Sequence, residues 1–273
     1  MIYSEIKEIE IKVENLKKQV SNNKNKETLI NILNLIDLTT LSVNDTIEKV
    51  KLMVEKVNNF NKNFPNYKNV AAICVYPSLI STVKKNLVIN NVSIASVGAG
   101  FPASQTFLSI KAAECELAVN KGADEVDIVI SVGDFLSKRF EKVAYEIGLV
   151  KNSIDNAKLK VILETGELLN LENIYIASIL SMESGGDFIK TSTGKTDISA
   201  TPEAVFVMCY AIKEYYEKTG KKIGIKPSGG IKTSEDAILY YLIVKEILGE
   251  DWLNNKLFRF GASSLANNIL SNL

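Results

Sequence analysis

Apolar residues recur near the start of the chain at alternating four- and three-residue steps, Ile2, Ile6, Ile9, Val13, Leu16 and Val20, with Lys and Glu filling most of the intervals. That spacing returns to one face at every helical turn, so it predicts an amphipathic helix rather than a strand. The stripe is shorter than the three or four heptads of a convincing coiled coil, which favours packing against the rest of the chain. Ser-Asn-Asn-Lys-Asn-Lys at 21–26 then reads as a polar linker, dividing the chain into residues 1–26 and a main domain of 27–273.

Beyond the linker the pattern changes. Short β-rich runs alternate with amphipathic stretches: LNLIDLT (33–39), VAAICVY (70–76), VSIASVG (92–98), EVDIVIS (125–131), LKVILET (159–165), DFIKTS (187–192), IGIKPS (223–228) and LFRFGA (257–262). Most are near-continuous in Ile, Val, Leu and Phe, as expected of parallel strands buried on both faces. Helical patterns fall between them at 106–121, 138–152, 168–184 and 201–218, the last opening on Thr-Pro-Glu, a capping residue with proline at the first helical position. Eight β/α alternations in about 240 residues predict a TIM (β/α)8 barrel with an extra N-terminal helix rather than an open doubly wound sheet. VGAGFPA (97–103) does spell G-x-G-x-x-A after a strand, the outline of a dinucleotide fingerprint. It follows the third strand, however, and places Pro102 in the turn, so a loop at the barrel mouth is the better reading.

Composition narrows the chemistry. The 273 residues are 46% hydrophobic, with 32 basic and 32 acidic side chains and no long basic run, which argues against a nucleic-acid backbone or an anionic membrane as partner. The first residues are too charged for a signal peptide, and no apolar run approaches the roughly 20 residues of a membrane helix, so a cytoplasmic protein is expected. Cys74, Cys115 and Cys209 are scattered and odd in number, which suits a reducing compartment and core positions. Histidine is absent altogether. That removes Ser-His-Asp and Cys-His catalysis and His-bound zinc, leaving carboxylates, lysines, hydroxyls and water to move protons. No metal and no cofactor are expected.

Charges set between apolar neighbours in the predicted strands stand out at Asp127 in EVDIVIS, Lys190 in DFIKTS and Lys226 in IGIKPS. Burying such a charge is costly unless it is paired or changes its protonation state. The plain alternative is a structural Asp–Lys ion pair with a spare lysine at the rim. GKT at 194–196 is not a phosphate loop, because Ile189 stands where that loop needs its first glycine. Two lysines on the sixth and seventh strands would instead face one mouth, where the cation of one favours the neutral amine of the other. A neutral lysine attacks an aldehyde or ketone to form a Schiff base, an electron sink that lets a neighbouring C–C bond break or form. KPSGGIKT (226–233) and FGASS (260–264) follow strands seven and eight, where barrels often bind phosphate.

DLTTL (37–41), AAICVYP (71–77), GADEVDIV (122–129), KVILETGEL (160–168), DFIKTSTGK (187–195), KPSGGIKT and FRFGASSL (258–265) together resemble deoxyribose-phosphate aldolases, in order and over nearly all of the chain beyond residue 30. The resemblance implies a metal-independent class I aldolase that reversibly cleaves 2-deoxy-D-ribose 5-phosphate into acetaldehyde and D-glyceraldehyde 3-phosphate. By the same resemblance Lys190 is the Schiff-base lysine, Lys226 lowers its pKa, and Asp127 is the proton-relay carboxylate. Asp37 and Thr39 match positions near the substrate hydroxyls, and Thr193 and Lys195 positions at the mouth. Gly194, Gly229, Gly230, Lys232, Gly261, Ser263 and Ser264 match the surroundings of the phosphate. The partners implied are small sugar phosphates and aldehydes; a homo-oligomer is left open, since the sequence does not give the oligomeric state. There are departures: Ser104 stands where glycine is usual after Phe-Pro, Lys232 where arginine is common, and the chain ends in NNILSNL without the terminal tyrosine of some members. Two rival readings are a transaldolase-like Schiff-base barrel and a non-catalytic sugar-phosphate-binding barrel. The latter would not need both lysines.

Overall fold

The computed structural model describes residues 3–273. Helix α1 (Tyr3–Lys17) is followed by a helical turn, α2 (Val20–Asn23), and by α3 (Lys26–Leu33). Asn25 caps α3 by accepting a hydrogen bond from the Thr28 amide, so the polar run carries both a turn and a helix cap.

The main domain alternates strand and helix: β1 (Ile36–Thr39), α4 (Ile47–Asn58) with the short α5 (Phe60–Asn63), β2 (Ala72–Val75), α6 (Ile80–Asn86), β3 (Ser93–Gly98), α7 (Leu108–Asn120) and β4 (Glu125–Val129). After the short α8 (Val132–Leu136) come α9 (Phe140–Ser153), β5 (Lys158–Ile162), α10 (Leu171–Glu183), β6 (Phe188–Lys190), α11 (Pro202–Thr219), β7 (Gly224–Lys226), α12 (Ser234–Leu248), β8 (Phe260–Ala262) and α13 (Leu265–Ser271). All eight strands are parallel, in the order β7-β6-β5-β4-β3-β2-β1-β8. The seam between β7 and β8 is closed by bridges from Ile225 to Phe258 and from Ser228 to Gly261. This is the expected (β/α)8 barrel. The N-terminal helix packs on its outside, with Ile9, Val13 and Leu16 buried where α1 meets α11 and α12. Ile2 and the side chain of Ile6 lie outside the described residues.

β2 and β4 are buried along their whole length because helices cover one face and inward side chains fill the other. Two helix starts follow their sequence signals. Thr201 accepts from the Ala204 amide ahead of Pro202, and Thr233 with Asp236 forms a capping box. Both helices come directly after the lysine-bearing strands, fixing the outer wall behind them. β6, β7 and β8 hold only three residues each, because past Lys190 and Lys226 the backbone turns into the mouth loops. The segment 97–103 closes β3 with Val97 and Gly98 and then turns into a loop, with Ala99 and Gly100 at positive φ and no helix opening there, so it is not a dinucleotide fingerprint.

Candidate active site

Lys190 and Lys226 close their strands side by side, paired in register across β6 and β7. Asp127 stands beside Lys160 across β4 and β5. All four point into the barrel, where Asp127 Oδ2 accepts from Lys190 Nζ at 2.9 Å and from Lys226 Nζ at 2.7 Å. Lys226 also reaches Asp37 Oδ2 at 2.5 Å. Lys160 Nζ joins Asp127 Oδ1 at 3.1 Å, Asp37 Oδ2 at 3.2 Å and Glu125 Oε2 at 2.5 Å. Arg259 completes the cluster, giving Nη1 to Asp37 Oδ1 at 2.6 Å and Nη2 to Glu125 Oε1 at 2.8 Å.

The cluster thus opposes three carboxylates, Asp37, Glu125 and Asp127, to four cations. It balances when one cation gives up its proton. Burial penalises every charged form, but the lysines and Arg259 hold the three carboxylates below the usual range. Against the same burial penalty, the carboxylates hold Lys160, Lys226 and Arg259 above theirs. Lys190 goes the other way: burial, joined by the charge on Lys226, lowers its pKa against the pull of Asp127 and leaves it below the ordinary lysine value. Of the two causes that lower it, burial is the larger and like-charge repulsion from Lys226 the smaller.

Above the cluster lies a cavity of about 680 Å³ at the carboxyl ends of the strands. Among the described residues, Lys190 is the one member of the cluster that lines it; Asp37, Asp127 and Lys226 lie beneath, fully buried. Thr39, Thr193, Gly194, Lys195, Gly229, Gly230, Lys232, Gly261, Ser263 and Ser264 all line the same cavity. Lys195 reaches across it to the Leu41 carbonyl, joining the loops after β6 and β1. A Cβ on Gly229, whose φ is +84°, would stand 2.5 Å from Ser199 and 3.3 Å from the Gly194 Cα, so the loops after β6 and β7 approach only because this residue is glycine. Thr191 Oγ1 donates to the Ser228 carbonyl and accepts from its amide, locking those two loops together.

Sequence reasoning singled out Asp127, Lys190 and Lys226, which the structure brings into one cluster, and passed over Lys160, Glu125 and Arg259, which join it, and Glu164, which holds the mouth loop. The same signal was present at Lys160 and Arg259, each a charge between apolar neighbours in a predicted strand. Ser104, the departure after Phe-Pro, has φ +56°, a backbone region that favours glycine and explains why glycine suits that position.

Against known proteins, residues 31–265 match the model of the DeoC/LacD family aldolases. The chain belongs to that aldolase family. Within it, a Caenorhabditis elegans protein is 44% identical over 268 residues, covering 97% of this chain and 88% of its own. Human deoxyribose-phosphate aldolase is 41% identical over 255 residues, 88% of this chain and 79% of the human one. The tetrameric deoxyribose phosphate aldolase of Aeropyrum pernix superposes with a TM-score of 0.69 at 25% identity, over 94% of this chain and 96% of that one. Membership makes this chain a carbon–carbon lyase of the class I kind. No helix among the described residues is long and apolar enough to cross a membrane.

Proposed function

We propose that this family member cleaves 2-deoxy-D-ribose 5-phosphate, reversibly, to acetaldehyde and D-glyceraldehyde 3-phosphate, with Lys190 as the Schiff-base lysine. One observation carries the reading: of the four cations in the buried cluster, Lys190 is the one that opens on the cavity, and its burial favours the neutral amine. The neutral Nζ adds to the C1 aldehyde of the open-chain sugar, and loss of the carbinolamine hydroxyl as water, with one proton supplied to it, leaves an iminium. A base takes the C3 hydroxyl proton, the C2–C3 bond breaks, and its electron pair moves into the iminium to give an enamine. Glyceraldehyde 3-phosphate leaves. Protonation of the enamine at C2 and hydrolysis then release acetaldehyde and restore Lys190.

Asp127 touches the Nζ of both Lys190 and Lys226 through one oxygen, so it faces the iminium with a negative charge and gives protons a path, with water, between Lys226 and Lys190. Asp37 acts from below by holding Lys226, while Thr39, Thr193 and Lys195 stand where the substrate hydroxyls would lie. The phosphate fits the mouth loops after β6, β7 and β8, with the backbone of Gly194, Gly229, Gly230 and Gly261, the hydroxyls of Ser263 and Ser264, and Lys232 as a mobile point charge. Three free, buried cysteines suit a reducing cytoplasm, and the even charge balance suits a small ligand rather than a nucleic acid. Assembly into a homo-oligomer, as in the tetrameric Aeropyrum pernix relative, belongs to the same reading.

Reduction with borohydride in the presence of acetaldehyde tests the assignment. The expected result is a two-carbon adduct mapped to the peptide carrying Lys190, with Lys190→Ala losing both the adduct and turnover. An adduct confined to another lysine would overturn it.

A further inference from the structure

Glu125 opens β4 and Arg259 directly precedes β8, so the pair sits at the amino-terminal end of the strands, away from the substrate cavity. Both are 2–3% exposed. They border a second cavity, about 670 Å³, at this closed end, together with Asp124, Lys158 and Lys256. Neither touches Lys190. Each does touch a residue that reaches the centre of the cluster: Glu125 contacts Lys160, whose next partner is Asp127, and Arg259 contacts Asp37, whose next partner is Lys226.

We propose that Glu125 and Arg259 are positioning residues that set the protonation state of Lys190 through the charge balance of the cluster. This rests on Lys190 being the Schiff-base lysine. The groups that face the cluster are Asp37 on β1, the neutral thiol of Cys74 on β2, Glu125 and Asp127 on β4, Lys160 on β5, Lys190 on β6, Lys226 on β7 and Arg259 before β8. Lys158 lies just outside, over the Phe188 ring that Arg259 also faces. In this buried interior the charges are weakly screened, so removing one leaves an imbalance that another group must absorb. The three carboxylates are held ionised, and Lys160, Lys226 and Arg259 are held protonated. Lys190 is the group left free to respond. Loss of the Glu125 charge should make it give up its proton more readily, and loss of the Arg259 charge should make it hold that proton.

The test is the pH dependence of acetaldehyde–borohydride trapping in Glu125→Gln, Arg259→Gln and the double variant, with the label mapped in each. Glu125→Gln is expected to move the acid limb down by on the order of one pH unit, and Arg259→Gln to move it up by a similar amount. The double variant, again balanced, is expected to return close to the wild-type profile, and Arg259→Lys, which keeps the charge, to retain it. Glutamine at either position alone changes packing without predicting opposite signs. Shifts in one direction for both singles, unmoved limbs with reduced amplitude, or a double variant further displaced than either single would overturn the proposal. A wild-type label on a lysine other than Lys190 would instead defeat the Schiff-base assignment, before any variant is compared.

Discussion

Glu164 follows β5 with φ +56°, a left-handed conformation that a non-glycine residue adopts only when its surroundings hold it there. Its carboxylate supplies the reason. It accepts from the Thr193 amide at 3.1 Å and from Thr193 Oγ1 at 2.6 Å, pinning the loop that begins at Lys190. Glu164→Ala should leave a buried amide without its partner, at about 1–3 kcal/mol of stability. By loosening the mouth it should also lower kcat/KM about tenfold, and Glu164→Gln should recover most of both losses. Steady-state kinetics beside thermal melts would check this; unchanged kcat/KM in the alanine variant would mean the loop is held by other contacts. At this scale legibility followed energetic cost. A lone charge in an apolar strand is expensive to bury, so Asp127, Lys190 and Lys226 were visible from sequence, and Lys160 and Arg259 carried the same mark. Glu164 did not, because its partner lies 29 residues away and its role depends on a turn that no local pattern reveals.

Among the elements, β6 and β7 show how register shapes the barrel. Phe188 pairs with Gly224, and a Cβ there would lie 2.3 Å from the Phe188 ring. The ring in turn underlies Lys158 and Arg259, which leaves it little room to retreat. Gly224→Ala should therefore overpack the interior and cost about 1–3 kcal/mol. Denaturant titration is the measurement, and a midpoint equal to that of the parent protein would show that the ring yields freely. The strands were legible as apolar runs because parallel strands covered on both sides need little polar alternation. Their ends were not. DFIKTS and IGIKPS read as six residues each, yet pairing stops at the lysines, since Thr191, Ser192 and Ser228 are committed to hydrogen bonds between the two mouth loops. LNLIDLT likewise began too early: Leu33 finishes α3, where its apolar side chain serves a helix face just as well.

For the molecule as a whole, an unusual amount of charge is enclosed, and that ties fold stability to the same groups that tune Lys190. Asp37, Glu125 and Asp127 have folded pKa values below their unfolded ones, near 4. The stability they contribute is thus fully present above that range and lost as pH falls through the folded values. Lys160 is the one cation that contacts all three. Lys160→Met keeps much of the volume but removes the shared charge, so the folded pKa values should rise and acid unfolding should begin at higher pH. Breaking such a cluster costs about 3–5 kcal/mol when a charge is left uncompensated. Here Lys190 can hold a proton and restore three charges against three, which should bring the loss at neutral pH below that range. The compensation consumes the free amine. Lys160→Met is therefore expected to remain folded at pH 7 while its Schiff-base trapping falls by tenfold or more, recovering as pH rises. Circular dichroism across acid pH, run beside the trapping assay, separates the two effects. A variant that unfolds at higher pH yet traps acetaldehyde at the wild-type rate at pH 7 would break the link between charge balance and chemistry.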